Sequence, residues 1–164
     1  PQYHMFQHPE VPSYDKQIEA RDNILKRYPK LRFTGAHLGS LEWNIDELAK
    51  RFDQFPNFKA DIAARLFHLQ LQSGKDYEKV RNFMIRYQDR LIYGTDNEVH
   101  DLDGKSPAEM CKNLEKGWYR QWLYFATDSV INNIKGLKLP AVVIDKFYNL
   151  NSESYFKTPE NQQK

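Results

Sequence analysis

The sequence predicts an α/β fold with parallel strands, and three observations carry that expectation. Short β-leaning runs alternate with segments of helical periodicity. Each helix-plus-strand repeat takes roughly 30 residues, the length of a parallel βαβ unit. The first and third of the strands run directly into a His and an Asp, His37 and Asp96. In (β/α) proteins the reactive groups sit at the C-terminal ends of parallel strands, so these two endings are the main functional clue.

The elements follow in order. Residues 1–13 hold three prolines and two histidines and read as loop. Ser13 is a suitable N-cap, and Ile18, Ile24, Leu25 and Tyr28 recur at helical spacing, which predicts a helix over Tyr14–Tyr28 stopped by Pro29. Leu31–Ala36 is the first strand. Asn44 caps a second helix, Ile45–Phe55, with Ile45, Leu48, Ala49 and Phe52 on one face. Pro56-Asn57 is a turn, and Phe58–Ala63 is a second strand holding Asp61. Asp76–Tyr87 is a third helix, with Tyr77, Val80, Met84 and Tyr87 three or four apart, and Leu91–Thr95 is the third strand.

Residues 97–135 break the rhythm with an excursion rich in Asp, Gly and aromatic residues, helical near Pro107–Lys116. Gly136–Pro140 is a turn, and Pro140 opens a last helix reaching about Leu150. The polar tail 158–164 is expected to fray. Three parallel strands cannot close a barrel and leave two exposed edges. The 164 residues are therefore expected to form a single partial domain, the C-terminal part of a larger (β/α) fold.

Composition narrows the function classes. A net charge of +2, with Lys and Arg interspersed among Asp and Glu, gives no electrostatic footprint for nucleic acid. Cys111 is the single cysteine, which excludes an intrachain disulfide and a cysteine metal cluster and reads as a small helix residue. No apolar run approaches the ~20 residues of a membrane span. The chain opens on Pro1 without a charged-then-apolar leader, the expectation for a processed chain or a segment of a longer one, and localisation stays open. A small-molecule substrate is the expected partner, and a homo-oligomer stays possible.

The candidate site residues each have two readings. Asp96 follows Gly94-Thr95 and is either a proton acceptor and metal ligand or the cap of the turn after a strand. His37 either polarises a substrate or is a satisfied structural imidazole. Asp61 can face the mouth of the fold and orient a ligand, and Arg65 can clamp a carboxylate bidentately, or both can pair with neighbouring charges. Trp43 and Asn97 are candidate pocket walls in the loops beside the two strand endings. His4, His8, His68 and His100 read as surface or loop histidines. Trp118, Tyr119, Trp122, Tyr124 and Phe125 read as a helix-packing cluster.

Two segments carry a family resemblance: Tyr28-Pro29-Lys30-Leu31-Arg32-Phe33-Thr34-Gly35-Ala36-His37-Leu38-Gly39 and Arg90-Leu91-Ile92-Tyr93-Gly94-Thr95-Asp96. Their order and separation, with Gly136–Pro140, Ile144 and Asn149 behind them, resemble the C-terminal part of the amidohydrolase superfamily, in its amidohydrolase-related (amidohydrolase 2) branch. The resemblance covers about residues 14–150. It implies a TIM (β/α)8 barrel of which this chain supplies about strands six to eight, with His37 closing strand six and Asp96 strand eight. It further implies a divalent metal, zinc by expectation, with Asp96 as a ligand, and hydrolysis of a small-molecule C–N or C–O bond. The branch also contains non-oxidative decarboxylases, and a non-catalytic module is the third reading. The family's His-x-His pair of strand one and its strand-five His have no counterpart here, so the metal site is expected to be incomplete.

Overall fold

The computed structural model describes residues 7–98, 104 and 106–156. Helix α1 (Tyr14–Arg27) is capped by Ser13, whose hydroxyl accepts from the Lys16 N–H. Strand β1 (Phe33–Gly35) leads into a single turn, α2 (Ala36–Gly39), and then into α3 (Ile45–Gln54), capped by Asn44. Strand β2 (Phe58–Asp61) is followed by two helices, α4 (Leu66–Lys75) and α5 (Tyr77–Arg86), and then by β3 (Leu91–Ile92). Beyond come α6 (Pro107–Ala126), a hairpin of β4 (Val130–Ile131) and β5 (Ile134–Lys135), and α7 (Ala141–Asp145). A π-helical stretch (Lys146–Leu150) then runs into α8 (Asn151–Phe156).

The three principal strands form a parallel sheet in the order β1-β2-β3, so the mixed α/β class and the parallel pairing stand as expected. Among the described residues the sheet is open, and no closed barrel forms. The register puts Phe33 beside Phe58 and Ala60 beside Leu91. These side chains share one face, and Phe58, Ala60 and Leu91 are fully buried. The Phe52 ring of α3 lies 5.4 Å from Phe58, and Phe83 of α5 stacks 6.2 Å from Phe52, which fixes two helices on that face. Thr34 and Lys59 pair on the opposite face, with Asp61 two residues on.

Four features depart from the sequence reading. Helix α4 occupies residues that carry no helical expectation, because Arg65 gives it no side-chain cap and its apolar residues follow no clean stripe. Helix α6 continues ten residues past Lys116 and absorbs the aromatic cluster; a complete capping box between Ser106 and Glu109 starts it. Asn132 and Asn133, both at positive φ, turn the β4–β5 hairpin, a pattern asparagine tolerates.

The fourth departure is the β3 edge, which is covered. The Tyr93 N–H donates to the Phe147 carbonyl at 2.9 Å, and the Asn151 side-chain amide donates to the Leu91 carbonyl at 2.8 Å. The last helix thus closes an edge expected to be exposed. The expected tail 158–164, His4 and His100 lie outside the described residues. Cys111 is an exposed residue of α6.

Candidate functional site at the C-terminal edge of the sheet

All three strands end in left-handed backbone. After β1, His37, Leu38, Gly39 and Ser40 have φ of 56°, 55°, 63° and 57°; after β2, Ala64 has φ 53°; after β3, Asp96 has φ 58°. A run of four is unusual, since each non-glycine residue costs about 1–2 kcal/mol there. Burial offsets it. Leu38 and Leu41 are buried to 0% and 2% exposure, worth about 1.5–3 kcal/mol each. Polar contacts add to this: the Arg21 guanidinium donates to the Gly39 carbonyl and the Tyr14 hydroxyl to the Ser40 carbonyl. Strain held in this way at one end of a sheet is a common mark of a functional edge.

The three turns are joined to one another. Asp61 Oδ1 accepts from the His37 N–H at 2.9 Å and from the Ala63 N–H at 3.1 Å. The Ala64 N–H donates to the Thr95 carbonyl at 3.3 Å. His37 Nδ1 lies 2.8 Å from the Ala63 carbonyl. A carbonyl only accepts, so Nδ1 carries a proton toward Ala63 and Nε2 is the ring nitrogen turned outward. His37 Nε2 then faces Asp96 Oδ2 at 4.0 Å, with the side chains 33% and 47% exposed. The separation exceeds a hydrogen bond but leaves both groups pointing at one solvent-accessible spot.

The other expected site residues fall around this pair in distinct ways. Asp61 positions His37 through its backbone. Arg65 pairs with Glu42, its Nε 3.0 Å from Oε1, and not with Asp61. Trp43, 55% exposed, donates from its indole N–H to the Tyr14 hydroxyl at 2.8 Å, and so braces the residue that holds Ser40. Asn97 Oδ1 accepts from the Trp118 indole at 3.2 Å, which brings α6 alongside Asp96. Trp118 at this edge escapes sequence reasoning because the long excursion hides which turn of α6 meets the sheet. His8 pairs with Glu10. His68 departs from the surface-or-loop expectation: it lies half-buried within α4, with its Nδ1 enclosed and unpartnered among the described residues.

The metal expectation can be tested on the donor set. Two ligands about 2.1 Å from a tetrahedral zinc stand roughly 3.4 Å apart, closer than the 4.0 Å between His37 and Asp96. Asp61 Oδ1 is engaged by two backbone N–H groups. No cluster of three or more potential ligands occurs among the described residues. The residues present therefore do not fit a complete metal centre.

No protein-family model, curated protein or solved structure matches the chain. No helix among the described residues is long and apolar enough to cross a membrane.

Proposed function

We propose that the C-terminal edge of the sheet is a hydrolytic active site for a small molecule, with His37 and Asp96 as its acid–base pair, in the manner of the amidohydrolase-related enzymes. The observation that supports this best is the convergence of His37 Nε2 and Asp96 Oδ2 from the ends of two strands, with the imidazole tautomer fixed by the Ala63 carbonyl. In this reading Nε2 takes a proton from an attacking water, and the Asp96 carboxylate orients that water and favours the imidazolium that forms. The proton then passes to the leaving nitrogen or oxygen. Asp61 positions His37, and this reading assigns Arg65, Trp43 and Asn97 to the walls of the substrate site.

The same reading makes the chain about strands six to eight of a TIM barrel. The divalent metal belongs to this proposal only with ligands from outside the described residues, and no step here runs through it. Two measurements test the reading. In the full-length protein, Asp96→Asn is nearly isosteric and should lower kcat for ester or amide hydrolysis by about 10²–10⁴-fold with the fold intact. Wild-type-like kcat and metal content in that variant would remove Asp96 from the chemistry. Release of CO2 from aromatic acids in place of hydrolysis would move the assignment to decarboxylation. The 164-residue chain alone should bind zinc weakly, since tight sites need three or more protein ligands. Stoichiometric zinc with turnover in this chain would defeat the partial-barrel reading.

A further inference from the structure

At the opposite end of the sheet, cations gather at the starts of all three strands. Arg32 precedes β1, Lys59 is the second residue of β2, and Arg90 precedes β3. Arg90 is occupied, donating to the carbonyls of Phe58 and Phe55, which ends α3. Arg32 and Lys59 are not. Both lie over the ring of Tyr155 from α8, the guanidinium carbon at 4.5 Å and the ammonium at 5.8 Å from its centroid. Neither forms an ion pair among the described residues. The nearby carboxylate, Asp89, is 2.8 Å from Lys146.

These groups line a hollow of about 360 Å³ together with Asn57. Partial burial, and then the like charges of Arg90 and Arg32, hold the Lys59 ammonium below the ordinary lysine range, with Asp89 opposing. Two cations beside one aromatic ring repel each other, as the effect of Arg32 on Lys59 shows. An oxyanion between them would satisfy both donors and cancel the repulsion.

We infer that this hollow is a binding site for an oxyanion of the phosphate class, held by Lys59 and Arg32 beside the Tyr155 ring. It lies at the far end of the sheet from His37 and Asp96 and is independent of the hydrolytic reading. Arg suits the flat face of the phosphate oxygens and Lys supplies a point charge. Asn57 can donate on one side, although its amide also donates to the Pro29 carbonyl.

The test is titration of the full chain with inorganic phosphate at low ionic strength, followed by phosphorus NMR and by thermal unfolding. Saturable binding with a rise in Tm is expected. Lys59→Met and Arg32→Gln should each weaken it roughly tenfold or more, the loss of one charge-assisted hydrogen bond. Lys59→Arg should restore most of the affinity, which separates loss of charge from loss of fold. Lys112→Met, an exposed cation on α6, should leave the affinity unchanged. Competition by acetate at equal concentration supports the oxyanion site and extends it to carboxylates; phosphate alone binding supports it in its narrower form. Absence of saturation, or equal weakening by Lys112→Met and Lys59→Met, overturns it.

Discussion

Asp61 sits between two turns, and its Oδ1 carries two backbone N–H groups that have no alternative partner at the strand ends. Hydrogen bonds to a charged acceptor contribute about 1.5–3 kcal/mol each. Asp61→Ala should therefore cost about 3–6 kcal/mol, and because one of the two bonds is to His37, it should also loosen the imidazole. Asp61→Asn keeps the accepting oxygen and should cost about 1 kcal/mol. Urea unfolding of the two variants measures the difference; equal losses would mean that Asp61 acts through packing. A similar logic applies to Arg90, which meets the carbonyls at the end of α3. Its replacement by Met should cost about 2–3 kcal/mol through unpaired carbonyls, again read from urea midpoints.

The turn after β1 shows which elements the sequence makes legible. Strands and helices with clean periodicity, such as α3 with Ile45, Leu48 and Phe52 buried on one face, are visible as patterns. His37 and Asp96 were likewise visible, because strand endings are positional. The left-handed run was not: only Gly39 announces positive φ, whereas the rest of the run is held by tertiary contacts, Asp61 on the His37 N–H, burial of Leu38, Arg21 on the Gly39 carbonyl and Tyr14 on the Ser40 carbonyl. Helix α4 was hidden for a related reason, since its ends are fixed by neighbours: Gln72 donates to the Glu42 carbonyl and accepts from the Ile45 N–H.

Gly39 itself is testable at this scale. A Cβ there would stand 2.7 Å from Phe58 Cζ at φ +63°. Gly39→Ala combines the left-handed penalty of about 1–2 kcal/mol with overpacking of about 1–3 kcal/mol. A loss of about 2–5 kcal/mol in chemical unfolding is expected, and a neutral result would mean that the turn is not held as described.

Across the whole molecule the π-helical stretch and α8 close the open end of the sheet with aromatic rings, and this closure sets an alkaline limit on stability. Tyr148 packs 4.3 Å from Tyr93 and 5.2 Å from Phe147, and its hydroxyl is enclosed with no hydrogen-bond partner among the described residues. Burial, reinforced by Tyr93, pushes the Tyr148 phenol well above its ordinary range, and burial does the same to Tyr124, whose hydroxyl lies 2.9 Å from Ser73 Oγ. The sign follows from proton binding. Above about pH 10 an unfolded tyrosine loses its proton while these two keep theirs, so the native state binds more protons and stability falls as pH rises. Below that pH the two phenols impose no pH dependence. The substitutions then diverge. Tyr148→Phe removes an unsatisfied hydroxyl and should raise stability near neutral pH by about 1–2 kcal/mol, while also shifting the alkaline unfolding limb upward. Tyr124→Phe removes a made hydrogen bond and should cost about 1 kcal/mol at neutral pH, yet shift the alkaline limb in the same direction. Urea midpoints measured from pH 7 to pH 11 separate the two. If Tyr148→Phe destabilises at neutral pH, the Tyr148 hydroxyl is not an unsatisfied group, and the packing of the last helix on the sheet differs from the arrangement described.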